Sequence, residues 1–133
     1  MDWPEVFLAF WVSHAVGDYL LQTDWQARCK RGGLQGGPAA AENRRALFSH
    51  VATYTVAFVP VLVALWDSLG AGVLGVAALV AVPHLIQDDG RALSAYIRRV
   101  KHCDEETARQ IFTPVDQSFH LLALFLVALV AGS

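Results

Sequence analysis

Basic residues are absent from most of this 133-residue chain. The ten lysines and arginines lie between Arg28 and Arg109, and none occurs between Arg45 and Arg91. A soluble domain needs charge on each exposed face, whereas a membrane protein confines its basic residues to loops. Since 55% of the residues are hydrophobic and only 17% charged, the composition predicts one integral membrane domain. A soluble all-helical bundle is the alternative.

Other absences narrow the function. The lysines and arginines form no stripe interleaved with aromatic residues, so we expect no binding to nucleic acid. The two cysteines, Cys29 and Cys103, lack CxxC spacing, which argues against a redox pair or a zinc knuckle. No GxSxG motif indicates a serine nucleophile. No basic leader precedes the first apolar run, so we expect no cleavable signal peptide.

Four segments have the length and hydrophobicity of membrane spans, which need roughly 20 apolar residues. They run from about residue 4 to 22, 45 to 66, 69 to 88 and 114 to 131. Pro60 should kink the second span, because proline interrupts the helical hydrogen bonds. The predicted fold is an all-α bundle of four transmembrane helices in a single domain over residues 1–133, with two cytoplasmic loops.

The charge of the loops predicts the orientation. The two long loops and their borders hold every basic residue, while the N-terminal end, the Asp67-Ser68 turn and the C-terminus hold none. The positive-inside rule places both loops in the cytoplasm and both termini outside, in the inner membrane of a cell. The first loop, with RGGLQGGPAAAE, is flexible by composition. In the second, RALSAYIRRVKH predicts a short helix on the inner membrane surface, and Asp104 caps another that ends before Pro114.

Ionisable residues recur inside the spans with one spacing. Spans one, three and four each hold a histidine and an aspartate four positions apart, and span two holds a single histidine. A separation of four places both side chains on one helical face. Because successive spans run in opposite directions, all four sets fall in the cytoplasmic third of the bilayer. We therefore predict that seven side chains meet there: His14, Asp18, His50, His84, Asp88, Asp116 and His120.

A metal ion would explain these residues. An aspartate at the centre of a span costs about 2.5–3.5 kcal/mol on insertion scales, so such residues are usually partnered and functional. Asp18 and Asp88 also lie near helix C-termini, where the helix dipole disfavours negative charge. The basic loops or a divalent cation would compensate. Mixed histidine and aspartate ligands suit zinc, manganese, iron or cobalt, and the seven predicted ligands suffice for one or two ions per chain.

Structural roles are the alternative for each residue. Thr113 and the proline after it resemble a helix start, which would place Asp116 in a capping box. His50 fits an interfacial histidine near a helix start. His14 and His84 fit hydrogen-bonding residues that hold helices together. The residues by themselves leave these roles open.

Three sequence elements carry a family resemblance: HAVGDYLLQTDW at residues 14–25, PHLIQDD at 83–89 and DQSFH at 116–120. With them, the chain resembles the domain-of-unknown-function 3307 family of small bacterial and phage membrane proteins over almost its whole length. The resemblance implies a helical membrane fold but no activity. The matching positions here are His14, Gly17, Asp18, Gln22, Asp24, Lys30, His50, His84, Asp88, Asp116, Gln117 and His120.

Two functions fit these observations. The first is a metal-dependent hydrolase of a lipid or lipid-linked substrate in the inner leaflet, because a metal ion lowers the pKa of bound water to about 7. An aspartate among Asp18, Asp88 and Asp116 would then act as general base, and Gln117 or Lys30 would steady an anionic intermediate. The second is a non-enzymatic role, as a metal or proton carrier, a partner-binding bundle or a homo-oligomer. The nearly uncharged outer halves of the spans count against transport by a monomer.

Overall fold

Helices joined by short turns make up the computed structural model, which describes residues 1–132. No strand occurs in this range, and the predicted all-α class is confirmed. The α-helices are α1 (Trp3–Ala15), α2 (Asp24–Cys29), α3 (Ala41–Ala57), α4 (Val59–Ala64), α5 (Trp66–Leu69), α6 (Val73–Asp88), α7 (Arg91–Tyr96) and α8 (Glu105–Ala131). π-Helical turns follow α1 (Val16–Leu20) and α7 (Ile97–Lys101), and 3₁₀ turns span Pro38–Ala40 and Gly70–Gly72.

The long helices form a ring. Helix α1 packs against α8 and α3, and α6 packs against the same two helices from the other side. Gly132 lies against Trp3, so both ends of the described chain meet at one end of the ring. The two long connections meet at the other end, where the amide of Gly32 donates to the carbonyl of Asp89 at 2.9 Å.

Each long helix turns one face inward, and that face changes from apolar to polar along the length of the helix. At the end near the termini it is apolar, and its fully buried side chains include Val6, Phe10, Phe58, Val80, Leu124 and Ala128. One helical turn toward the loops, the same faces carry histidines: Phe10 is followed by His14, and Val80 by His84. The candidate site therefore lies directly below the apolar core, at the end of the bundle that carries the loops.

Two helical segments within residues 1–132 are long and apolar enough to cross a membrane, by length and composition: Trp66–Asp88 and Glu105–Ala131. Their most apolar windows are only 22% and 28% buried, whereas the core helix of a soluble protein would be mostly buried. Large apolar side chains are exposed on other helices too, including Leu8, Trp11 and Val63. Extended exposed apolar surface is typical of proteins that meet a membrane or a partner.

The other two expected spans are interrupted. The first consists of α1 followed by the π-helical turn Val16–Leu20. The second is divided at Phe58 into α3 and α4. Pro60 lies two residues after this division, and proline both lacks a backbone N–H and clashes with the preceding turn. The predicted kink at Pro60 is therefore confirmed.

Helix α8 corrects one prediction. It is continuous over Glu105–Ala131 and includes Pro114, so the prediction of a separate short helix that ends before this proline is wrong. The predicted cap is confirmed, because the Asp104 carboxylate accepts a first-turn amide at 2.8 Å, which lowers the pKa of Asp104. A single internal proline removes one backbone hydrogen bond, and the turns on both sides maintain the helix. Thr113 is thus no cap, and a capping role for Asp116 is excluded.

Replacement of Gly17 by alanine tests the packing between the first π-helical turn and α3. A Cβ at Gly17 would lie 2.6 Å from Cδ2 and 3.3 Å from Cα of Tyr54. Overpacking of this kind costs about 1–3 kcal/mol, so Gly17→Ala should lower the midpoint of thermal unfolding in detergent. Gly75→Ala is the control, because nothing lies within 4 Å of its added Cβ. Equal midpoints for the two variants would contradict this packing.

Candidate metal centre

Four ligand atoms from three parts of the bundle converge below the core. Asp18 lies in the π-helical turn after α1, His50 on α3, and His84 and Asp88 one turn apart on α6. One ligand atom from each lies within 4.8 Å of the ligand atoms of the other three. Their side chains are between 0% and 6% exposed. This set is called group one below.

The ligand atoms of group one lie close together, mostly closer than the edges of a coordination tetrahedron. Nε2 of His50 lies 2.9 Å from Oδ2 of Asp88 and 3.2 Å from Oδ1 of Asp18. Nε2 of His84 lies 3.1 Å and 3.6 Å from the same two atoms, and 3.1 Å from Nε2 of His50. A tetrahedral zinc ion with ligand bonds of about 2.0–2.2 Å has ligand–ligand edges of about 3.3–3.6 Å. Only the 3.6 Å distance lies in this range, and the other four, at 2.9–3.2 Å, have the length of hydrogen bonds. The four atoms could hold one metal ion after a small separation of the ligands.

A second group shares one residue with the first. Asp88, Asp116 and His120 each offer a ligand atom within 4.8 Å of the other two, and they are called group two. Asp116 and His120 lie one turn apart on α8. The side chain of His120 is buried, whereas that of Asp116 is 17% exposed. Six of the seven predicted ligands thus belong to one group or to both.

His14, the seventh predicted ligand, lies outside both groups. Its Nδ1 is 3.1 Å from the hydroxyl of Tyr54, and its Nε2 is 2.9 Å from Oε1 of Gln117. The Gln117 oxygen only accepts, so Nε2 donates and Nδ1 accepts from the tyrosine. Gln117 in turn points its amide nitrogen at Asp18 across 3.5 Å. His14 and Gln117, which the sequence placed at the site, therefore support Asp18 from the side.

Lys30 supplies a positive charge to group one. Its ammonium lies 2.8 Å from Oδ2 of Asp88, and its side chain is only 13% exposed. Of the two compensations that the sequence left open, the structure thus contains the basic loop. An oxygen of a carboxylate has two lone pairs, so Asp88 Oδ2 can accept from Lys30 and also face the space between the histidines.

The first loop is fixed in the position that presents Lys30. The amide of Leu34 donates to Oδ1 of Asp89 at 2.7 Å, and the amide of Gly32 donates to its carbonyl. The guanidinium of Arg31 stacks 4.0 Å from the centre of the Phe112 ring. Although glycine-rich composition predicts a flexible loop, these contacts anchor the part that follows Lys30. Asp89 therefore anchors the loop through both its side chain and its backbone carbonyl.

Tyr54 is the site residue that sequence reasoning missed. Its ring stacks on that of His84, with centres 3.4 Å apart and planes 5° from parallel, while its hydroxyl holds His14. The available signal was its position four residues after His50, which puts both on one face of α3. Gln22, identified from the sequence only as a position that matches the family, places its amide nitrogen within 3.2 Å of both ring nitrogens of His50.

Removal of the Tyr54 hydroxyl tests this support. Tyr54→Phe keeps the stacked ring but leaves Nδ1 of His14, a buried atom, without its donor. An unsatisfied buried polar group costs about 1–3 kcal/mol, so the midpoint of thermal unfolding should fall. Tyr19→Phe is the matched control, because the Tyr19 side chain is 63% exposed and should tolerate the change. If Tyr54→Phe were as stable as Tyr19→Phe, the hydrogen bond from Tyr54 to His14 would make no contribution to the stability of the fold.

Comparisons with known proteins return one match. No curated protein and no solved structure matches the chain. A family described as a protein of unknown function (DUF3307) matches residues 6–133, which is nearly the whole chain and includes every residue of both groups. The chain belongs to the family of proteins of unknown function DUF3307.

Proposed function

We propose that this protein binds a divalent transition-metal ion in group one, within a membrane, and uses it to hydrolyse a lipid or lipid-linked substrate. The observation that carries the proposal is the geometry of Asp18, His50, His84 and Asp88. Two imidazole nitrogens and two carboxylate oxygens face one another in a buried space, at separations of 2.9–3.6 Å among the pairs that include a histidine. Protons on the imidazoles can join these atoms as hydrogen bonds, and a divalent cation in place of those protons would be bound by all four.

The ligand chemistry narrows the ion. Two nitrogens and two oxygens, without sulfur, suit zinc, manganese, iron or cobalt. Lys30 binds Oδ2 of Asp88, the oxygen that also faces the histidines of group one. Gln117 instead binds the oxygen of Asp18 that faces away from these histidines. Hydrogen bonds to ligand carboxylates fix them in the orientation that a metal requires. The polar residues around group one are therefore arranged as supports of a metal site.

Hydrolysis is the chemistry that such a site supports best. A bound ion of this kind lowers the pKa of its water ligand to about 7 and polarises a carbonyl or phosphoryl oxygen. The chain itself contributes the positive charge of Lys30, which steadies an anionic substrate beside Asp88. Asp116, 17% exposed, marks the side on which the cluster is open to the surroundings.

The membrane part of the proposal rests on the apolar surface and the distribution of charge. We propose that α1, the α3–α4 pair, Trp66–Asp88 and α8 all cross the bilayer, with both loops in the cytoplasm. The exposed leucines and valines on these helices then face lipid. Since the site lies at the loop end of the bundle, it would open toward the inner leaflet, where a lipid headgroup can reach it.

A non-enzymatic bundle is the second candidate, in which the polar cluster only joins the helices. The hydrogen bonds that engage both nitrogens of His14, and the ion pair between Lys30 and Asp88, favour this role. It differs from the first candidate in requiring no bound ion. Metal content therefore separates the two.

Metal analysis of the purified protein is the direct test. Mass spectrometry of protein equilibrated with zinc in detergent should find bound zinc in the wild type and a loss of at least one ion per chain in Asp18→Asn and His84→Ala. His102→Asn is the control: His102 is exposed in the second loop at φ 49°, a conformation that asparagine tolerates. Absence of zinc from wild-type protein, with Asp18→Asn still helical by circular dichroism, would establish the non-enzymatic role instead.

Turnover tests the hydrolase directly. Zinc-loaded wild type should release headgroups from lipid phosphates or esters in mixed micelles. A chelator should abolish this release because it removes the ion, and Asp18→Asn should abolish it because it removes one ligand of the ion. Full activity in the chelated protein would show that hydrolysis does not depend on a bound metal ion. A loaded protein inactive on both substrate classes would leave a binding role only.

The native cysteines test the orientation. Cys29 and Cys103 lie in the two long connections, both unpaired and partly exposed. If both loops are cytoplasmic, a membrane-impermeant maleimide should label them in inverted vesicles but not in intact spheroplasts. A Cys29→Ser/Cys103→Ser/Ser68→Cys variant should show the opposite pattern, because Ser68 lies in the turn at the other end of the bundle. Labelling of Cys103 in intact spheroplasts would contradict the proposed topology, because it would place the second loop outside the cell.

A further inference from the structure

His120 presents a buried lone pair that nothing in the described chain uses. Its Nδ1 lies 2.8 Å from the backbone carbonyl of Asp116. A carbonyl oxygen only accepts hydrogen bonds, so Nδ1 carries the proton and Nε2 of the neutral ring carries the lone pair. A histidine held through Nδ1–H by a carbonyl is the arrangement that orients Nε2 toward a metal ion.

The surroundings of this nitrogen lack a donor. The His120 side chain is 1% exposed, and its Nε2 has no hydrogen-bond partner within residues 1–132. The atom that faces it is Oδ1 of Asp88, 3.6 Å away. This separation is too long for a hydrogen bond, and a carboxylate oxygen is itself an acceptor. Two acceptors that face each other in a buried space are stabilised by a cation between them, either a proton on Nε2 or a metal ion.

Asp88 divides its two oxygens between the groups. Oδ2 lies 2.9 Å and 3.1 Å from the nitrogens of His50 and His84, whereas Oδ1 faces His120. A carboxylate that presents one oxygen to each of two ligand sets has the geometry of a bridge between two ions. Asp116 completes the second set from the same helix as His120.

We propose that a second divalent metal ion binds in group two, between Asp88, Asp116 and His120, and that Asp88 bridges it to the ion of group one. The inference rests on the proposed function of group one and extends it. Three protein ligands leave at least one coordination position open, which is typical of a catalytic rather than a structural ion. The partly exposed side chain of Asp116 places that opening on the accessible side of the cluster.

The paired site specifies the class of substrate. The three aspartates and Lys30 carry a formal net charge of −2, which two dications convert to +2. A site with this charge favours a phosphate ester over a neutral carboxylic ester. Two ions about 3.5–4 Å apart also stabilise both the attacking and the leaving oxygen in displacement at phosphorus. The substrate of this site is therefore a lipid that carries a phosphate ester.

The stoichiometry of bound metal tests the inference. Protein in detergent is dialysed to equilibrium against zinc or manganese, and the bound ions are counted by mass spectrometry. We expect two ions per chain in the wild type and one in both Asp116→Asn and His120→Ala. Asp24→Asn, at an aspartate that is 73% exposed on α2, should retain two. Asp116→Asn is the decisive variant, because its side chain is isosteric and partly exposed, whereas His120→Ala removes a buried ring.

The outcomes separate the two proposals. One ion in the wild type, unchanged in Asp116→Asn, would overturn the second site and leave group one intact. No ion in the wild type would overturn both. Two ions retained in Asp116→Asn would place the second ion elsewhere and equally overturn the assignment to group two.

Electron paramagnetic resonance of the manganese-loaded protein tests the bridge. Two ions joined by the carboxylate of Asp88 should give an exchange-coupled spectrum, and Asp116→Asn should give the six-line spectrum of one isolated ion. An uncoupled spectrum from wild type with two bound ions would contradict the sharing of Asp88.

Discussion

The carboxylates of Asp18 and Asp88 are buried among apolar helices, and a buried negative charge must be balanced close by. Most of the polar architecture serves this requirement. Lys30 reaches Asp88 at 2.8 Å because Asp89 and Phe112 fix the loop that follows it. The histidines surround the same carboxylates, and together these side chains form a group that could hold a metal ion.

The meeting of the polar residues could be predicted from the sequence because it depends on local regularities. The period of the helix puts His84 and Asp88 on one face, and the alternating direction of the spans brings that face to the level of His50. The contacts of Lys30 and Tyr54 could not be predicted in the same way. The contact of Lys30 depends on how a glycine-rich loop folds back, and those of Tyr54 depend on which side chains of other helices lie beside its ring. Neither arrangement follows from the spacing of residues along the sequence.

Pro114 shows the opposite limit. Thr113, the proline after it and Asp116 three residues after the threonine have the spacing typical of a helix start, yet α8 runs through all of them. The long helix outweighs the loss of one hydrogen bond, so the local rule fails. The failure bears on function, because Asp116 then has no structural role as a cap and is placed one turn from His120. His14 was predicted as a ligand from the same spacing as His84, but the hydroxyl of Tyr54 and the amide of Gln117 engage its ring.

The ring of four long helices has a consequence for the biogenesis of the protein. Asp18 and His50 belong to the first helical hairpin, and His84 and Asp88 to the second. Each hairpin thus carries only two of the four ligands, too few to fill a tetrahedral site. As the chain emerges from the ribosome, the first hairpin forms before the second and offers only half of the ligand set. The full set of four exists only after the second hairpin docks, so any ion bound by group one would stabilise the finished bundle alone.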